Sequence, residues 1–432
     1  MTGNPRPGVR IPPSPPKIRL AIMFVMRQYS IISLILLVSF NSLLAEQIYI
    51  SPDKNIQERL QETLILAKPG DEIILAAGIY EFTDGLSLDV DNIKLSGAGH
   101  EKTILSFRNQ ITGAQGLLVT SDNVILEDFA IEDTKGDAIK VKGSNGIYFI
   151  NIRTEWTGGP KSTNGAYGLY PVESNNVLID GCIAIGASDA GIYVGQSENI
   201  IVRNSRAEYN VAGIEIENSN YADVYNNLTT HNTGGILIFD LPDLPKQGGH
   251  TIRVFDNRSV QNDTPNFAPE GNIVGEIPRG TGIIVMASEN VEIFNNEIGD
   301  NATVNLAVVA GEDSDDPNYQ KFPKRIQIHD NQFGPGGFDP DERGDLGPIL
   351  VEIASTSIPD IMWDGVLPFW QYLLGQPTDE KLIIKNNGDA TFINLDAFWY
   401  VVLPYFHQPE TDINDFSGNI SPLPAVKLVF PD

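Results

Sequence analysis

Between residues 166 and 240 apolar and polar positions alternate in short bursts, and the bursts recur. AYGLYPV (Ala166 to Val172), DAGIYVG (Asp189 to Gly195), VAGIEIE (Val211 to Glu217) and TGGILIF (Thr233 to Phe239) carry Gly168, Gly191, Gly213 and Gly235 at spacings of 23, 22 and 22. In each burst the apolar residues stand at i and i+2 (Ile192 and Val194, Ile214 and Ile216, Ile236 and Ile238), the period of a strand with one face buried. A second series, NVLIDG, NIIVRN and YADVYN, runs half a period out of phase and ends on Gly181, Asn204 and Asn226.

A strand this short cannot bury its face alone. Stacking coil on coil, about 4.8 Å apart, gives parallel sheets around one apolar core. Glycine or asparagine at the strand ends suits a left-handed turn, and stacked asparagines can hydrogen bond along the stack. The predicted fold is all-β: a single-stranded right-handed parallel β-helix with an N-terminal capping helix and an aromatic-rich C-terminal cap.

Four segments follow. Residues 1–45 form an N-terminal extension and signal peptide, 46–71 a strand and capping helix, and 72–335 the coils. Residues 336–432 form an irregular cap with a late coil near 382–395. In the first segment the apolar run Ile31 to Ala45 behind Arg27 has the length of a secretory signal and is short for a membrane span, so export to a periplasmic or extracellular space is expected, with no stable span after cleavage. Ile48 to Ile50 reads as a strand. Ile56 to Leu66 reads as a helix with Ile56, Leu60 and Leu64 on one face, closing a dry and unpaired solenoid end.

The repeat is interrupted by extra residues at Trp156 to Gly165, Leu241 to Gly249, Gln261 to Arg279 and Gly311 to Pro323. Each adjoins a glycine-led strand, and insertions of this kind gather on the working face of a repeat protein. The outward ladder beneath them is predicted as Lys140, Tyr170, Tyr193, Glu215 and Leu237, with Lys142, Tyr167, Glu173 and Glu217 beside it and Trp156 and Lys161 on the bordering loop. Adjacent tyrosines form a platform on which sugar rings stack, and carboxylates accept hydroxyl hydrogen bonds. The substrate-binding candidates are therefore Trp156, Lys161, Tyr167, Tyr170, Glu173, Tyr193 and Glu215.

Charge narrows the partners. The net charge is −27, and the first 45 residues hold five basic and no acidic side chains, so the remainder carries −32. Such a surface repels nucleic acid. Cys182 is the sole cysteine; it shares a turn register with Ser205 and Asn227 and reads as a small buried turn residue. No paired histidines suggest zinc. The acidic runs Glu312 to Asp316 and Asp339 to Asp345 admit calcium only as a poor match to a binding loop. No cofactor or metal site is assigned.

GDEIILAAGIYEF and DNIKLSGAGHEKTILSF resemble the opening of pectate-lyase-like β-helix proteins. Tyr167-Gly-Leu-Tyr-Pro-Val-Glu173 resembles the motif of mannuronan C5-epimerases at Tyr167, Gly168, Pro171 and Glu173. Tyr170 and Val172 stand where that family carries its catalytic Asp and His. NGAYGLYPVES and GASDAGIYVGQS resemble exported parallel β-helix repeat proteins, a likeness that implies fold and export and no activity. The expected function is polysaccharide binding, or an envelope scaffold, through a groove over one sheet, with no catalytic residue assigned. Alternatives are a polysaccharide lyase, epimerase or hydrolase with an unusual active site around Lys161, Tyr167 and Glu173, and an accessory factor for an exported protein partner.

Overall fold

The computed structural model describes residues 45–343, 348, 351–352, 358–403 and 409–428. The extension and the signal-like run, residues 1–44, lie outside them. From Gln47 onward the chain is a solenoid, each coil laying down one strand in each of three sheets. Among the described residues the sheets hold twelve, eleven and ten strands in parallel pairing.

One coil illustrates the path. Ala190–Gly195 lies in the glycine-led sheet, Glu198–Arg203 in the second sheet and Arg206–Glu208 in the third, and Ala212–Glu217 then pairs beside Ala190–Gly195. Registration puts like on like. Ile139, Leu169, Ile192, Ile214, Ile236, Ile283 and Leu306 form one inward column, all at zero exposure, so the alternation seen in sequence becomes a continuous core.

The turns explain the other repeated residues. Gly181, Asn204 and Asn226 hold left-handed backbone, as the half-period series predicts. Asn227, Asn257, Asn296, Asn331 and Asn387 pass side-chain hydrogen bonds of 2.9–3.0 Å from coil to coil inside one corner. Asn210, Asn232, Asn262 and Asn301 do the same at another. Cys182 joins the first ladder at its early end, where its N–H donates to Ser205 Oγ and the Ser205 N–H donates to Asn227 Oδ1. The leading glycines have a different cause. A Cβ on Gly168 would stand 2.4 Å from the Gly191 carbonyl oxygen, and one on Gly235 would stand 2.5 Å from that of Gly282. Stacking leaves no space there for a side chain.

The helix Ile56–Leu66 caps the first coil and buries Ile56, Leu60 and Leu64. Its Gln61 Oε1 accepts from the edge-strand Ser87 N–H at 2.8 Å, and Gln57 Oε1 accepts from Thr83 and Asp84. The exposed sheet edge thus finds partners in the cap. At the far end Ile361–Trp363, Ile383–Lys385 and Phe392–Asn394 extend the sheets, so coil structure reaches further into the 336–432 segment than one late turn near 382–395. Trp363 and Phe392 pack inward against Phe416, whereas Phe369, Trp370, Leu373 and Leu374 are exposed. The tail runs along the second sheet, where the N–H groups of Ser421, Leu423 and Val426 donate to Gln327, Glu292 and Asp223. No helix among the described residues is long and apolar enough to cross a membrane.

Candidate functional site

The outward ladder of the glycine-led sheet runs Ser87, Leu118, Lys140, Tyr170, then Tyr193, Glu215, Leu237, Ile284, Ala307, Met362 and Ile393. Ser87 is exposed, and Leu118, Lys140 and Tyr170 are partly so. From Tyr193 onward every position is buried, because a second apolar cluster outside the solenoid core covers the sheet. The insertion 261–279 supplies Phe267, Ala268, Val274 and Ile277 to that cluster.

This arrangement corrects the open platform expected from sequence. The register of Lys140, Tyr170, Tyr193, Glu215 and Leu237 is as read, but Tyr193 is only 3 % exposed and Glu215 only 1 %. Trp156 leaves the groove altogether. Its indole lies in the main core and donates from Nε1 to the Thr134 carbonyl at 2.7 Å, since so large an apolar ring with one N–H gains most from burial beside a single acceptor. Lys161 is exposed on the edge loop. Glu173 is exposed in a left-handed turn past the strand, with Lys142 Nζ 3.7 Å away.

What the fold does bring together is a set of carboxyls under three tyrosines. The rings of Tyr167, Tyr170 and Tyr193 meet at centroid distances of 4.3, 4.7 and 5.0 Å. Around them stand Asp137, Asp189, Glu215 and Glu217, of which Glu215 was a substrate-binding candidate and Glu217 a position expected beside the ladder. Lys140 is the cation at the mouth, 3.9 Å from Asp137 and 4.5 Å from the Tyr170 ring centroid. Asp189 accepts from Asn272 of the covering insertion at 3.2 Å, and Tyr193 Oη donates to Glu217 Oε1 at 2.7 Å.

Crowding of acids in a dry place decides their protonation. Burial raises Asp137 to about 6, against the opposing pull of Lys140. Burial also raises Asp189 to about 7, the charges of Glu217 and Asp137 adding to it. Glu215 is pushed well above its usual range, by burial first and then by Asp189 and Glu217. Glu217 rises through burial, opposed by the Tyr193 hydrogen bond. No hydrogen-bond donor reaches the buried Glu215 Oε2, which further disfavours its charged form. Burial raises the phenols too, Tyr170 to about 12, and it raises Tyr167 and Tyr193 likewise. They are hydrogen-bond donors at neutral pH rather than bases.

Two signals for this cluster were present in the sequence. Asp137 in GDAIKV and Asp189 in SDAGIYV open glycine-led strands two coils apart, and Glu217 lies two residues beyond Glu215 on the same face. Asn272 lies in an insertion without periodicity and had none. Of the five Asn-x-Ser/Thr sites, Asn227, Asn257, Asn262 and Asn301 are buried ladder members, and Asn419 is exposed in the tail. The acidic runs engage protein partners: Asp313 meets Lys321, Asp339 meets Arg279 and Asp341 meets Arg343. Among the described residues no group of three or more His, Cys, Asp or Glu is arranged to hold a metal ion.

Residues 89–243 match the family model described as the right handed beta helix region. Solved structures with a similar fold include the A-module of a mannuronan C-5 epimerase from Azotobacter vinelandii, with 15 % identity over 80 % of this chain and 92 % of that one, at a TM-score of 0.46. An alginate lyase from Paenibacillus sp. shows 14 % identity over 68 % and 98 % of the two chains, at 0.45. DFA-IIIase from Arthrobacter chlorophenolicus A6, without its lid and in complex with GF2, shows 11 % over 74 % and 95 %, at 0.47. No curated protein matches the sequence. No residue role is carried over from any of them.

Proposed function

We propose that this chain binds a neutral glycan over the glycine-led sheet and cleaves or transfers a glycosidic bond with the carboxyls beneath Tyr167, Tyr170 and Tyr193. The observation that carries the reading is the charge balance of the cluster: four carboxyls, largely buried, face one lysine. A uronate would add a further anion to a site whose carboxyls already repel one another. A neutral sugar adds none, and its hydroxyls match the carboxylate acceptors and phenol donors.

Roles follow from protonation. Asp189, raised to about 7, keeps a proton to give to the leaving oxygen, whereas Asp137, lower and paired with Lys140, is ionised at neutral pH and serves as base toward water. The two stand two coils apart, roughly 10 Å at the backbone. Inverting chemistry needs room for a water between the two carboxyls and retaining chemistry does not, so the anomer of the first product tells which the pair performs. The high phenol pKa values favour this over a lyase route that needs a tyrosinate base.

The test incubates the protein with xylan, mannan, β-glucan, alginate and pectate and follows reducing ends and anomeric NMR signals. Inverted products from a neutral glycan, lost in Asp189→Asn, support the proposal. Unsaturated products from a uronate polymer overturn it. A second reading, binding without turnover, is favoured by the exposure of the Tyr170 face; it predicts glycan affinity with no product and loss of affinity in Tyr170→Ala. We also propose export, which Ile31 to Ala45 supports; cell fractionation of the native host checks it.

A further inference from the structure

The ladder that carries the site does not stay open, and its closure bears on which part of a glycan the site can accept. From Ser87 through Leu118 and Lys140 to Tyr170 the outer face is accessible; at Tyr193 it goes under cover and stays covered through Ile393. The carboxyl cluster sits at this transition. Asp137 is on the open side, Asp189 and Glu217 are at the boundary and Glu215 is beneath the cover.

The cover is braced, not loosely draped. Asn266 Nδ2 donates to the carbonyls of Val274, Gly275 and Ile277 at 2.9, 3.2 and 2.9 Å, fixing the insertion as one body. Val274 and Ile277 pack into the same apolar cluster as Tyr193, Ala212 and Leu237. Arg279 ties its far end to Asp339 and Asp341. Asn272 reaches Asp189 directly. A sugar chain lying along the open face therefore meets a packed wall at the acids.

We infer that the site takes the terminal part of a neutral glycan chain and excludes its interior, because the groove ends at the carboxyl cluster under residues 261–279. The inference rests on the glycan reading above. In the reaction the glycosidic C1–O bond breaks, the departing oxygen receives the carboxyl proton of Asp189, and water attacks C1 while giving its proton to Asp137. One short sugar lies on the walled side of the scissile bond, and the rest of the chain lies over Tyr170 and Lys140.

Binding to xylo-, cello-, manno- and malto-hexaose is measured by calorimetry and saturation-transfer NMR. Each sugar is used as such, with the reducing end converted to an alditol, and with the non-reducing end O-methylated. For a hexaose that binds, blocking one end should weaken affinity at least tenfold and leave the other change within about twofold, and the protons of the sensitive terminal ring should saturate most strongly. Tolerance of both blocks, or strongest saturation of internal rings, overturns the inference while leaving the glycan reading intact. Absence of binding to all four overturns the glycan reading and this inference with it. Val274→Gly with Ile277→Gly, which thins the wall without touching a carboxyl, should cut the end preference to below threefold; a variant that is folded by circular dichroism and keeps the full preference counts against the wall as its cause.

Discussion

One sheet face behaves in two ways along its length. Over the early coils its outward column is Ser87, Leu118, Lys140 and Tyr170, and solvent reaches it; over the later coils it is Leu237, Ile284, Ala307, Met362 and Ile393, and nothing does. The strands follow the same difference. DAIKVK alternates, whereas GGILIF and TGIIVM are apolar on both faces. A parallel strand buried on both sides reads as a continuous apolar run, so the change of pattern marks where the insertion and the C-terminal cap lie down. The carboxyl cluster occupies the seam. There burial is deep enough to raise acid pKa values and access remains through Tyr170.

The same substitution placed in each half should separate them most strongly. Leu237→Gln replaces a buried apolar side chain by an amide without partners under the cover, a loss of about 3–5 kcal/mol, read as a lower midpoint in urea unfolding. Leu118→Gln, two strands on the open side of Tyr170 in the same column, should cost less than about 1 kcal/mol. Equal costs would mean that the two halves are equally covered.

That pairing also shows what was legible in the sequence. The period, the register and the inward column follow from spacing alone, and so do the asparagine turns and the cap helix, since each depends on residues near one another within a coil. The cover did not follow, because nothing in residues 261–279 repeats. Leu237 nevertheless gave a sign that went unused: an apolar residue at an outward position beside Ile236 and Ile238 calls for a second burying surface. Tyr193 is buried by that same surface. Trp156 lies in an insertion that borders the expected groove, yet its indole fills the core behind the sheet.

A smaller effect should come from titration. Asp189 and Asp137 hold pKa values of about 7 and about 6 in the folded chain, against about 3.9 unfolded. Between those limits the native state binds more protons than the unfolded one, so stability falls as pH rises. The melting temperature should be higher at pH 5 than at pH 8. General repulsion at −27 net charge acts in the same direction, so the diagnostic quantity is the slope, which Asp189→Asn should flatten while Leu118→Gln leaves it alone. An unchanged slope in Asp189→Asn would place its carboxyl in water, not at the seam.

The smallest contrast compares two phenols 5.0 Å apart. Tyr193→Phe removes a 2.7 Å hydrogen bond to Glu217 from a buried place, a loss of about 1–3 kcal/mol with a carboxylate left short of a donor. Because that bond holds Glu217 down, its loss should raise the Glu217 pKa further; a neutral Glu217 no longer pushes Asp189 up, so the alkaline limb of any pH–activity profile should move downward. Tyr170→Phe touches the open half. The ring keeps its contacts with Tyr167 and Lys140 and stays partly exposed, so stability should change by less than about 0.5 kcal/mol. Glycan affinity should fall severalfold at the same time, as expected for a donor that meets a sugar hydroxyl. If instead Tyr170→Phe destabilises the chain as much as Tyr193→Phe and leaves binding untouched, the seam lies one coil earlier and the accessible face ends at Lys140.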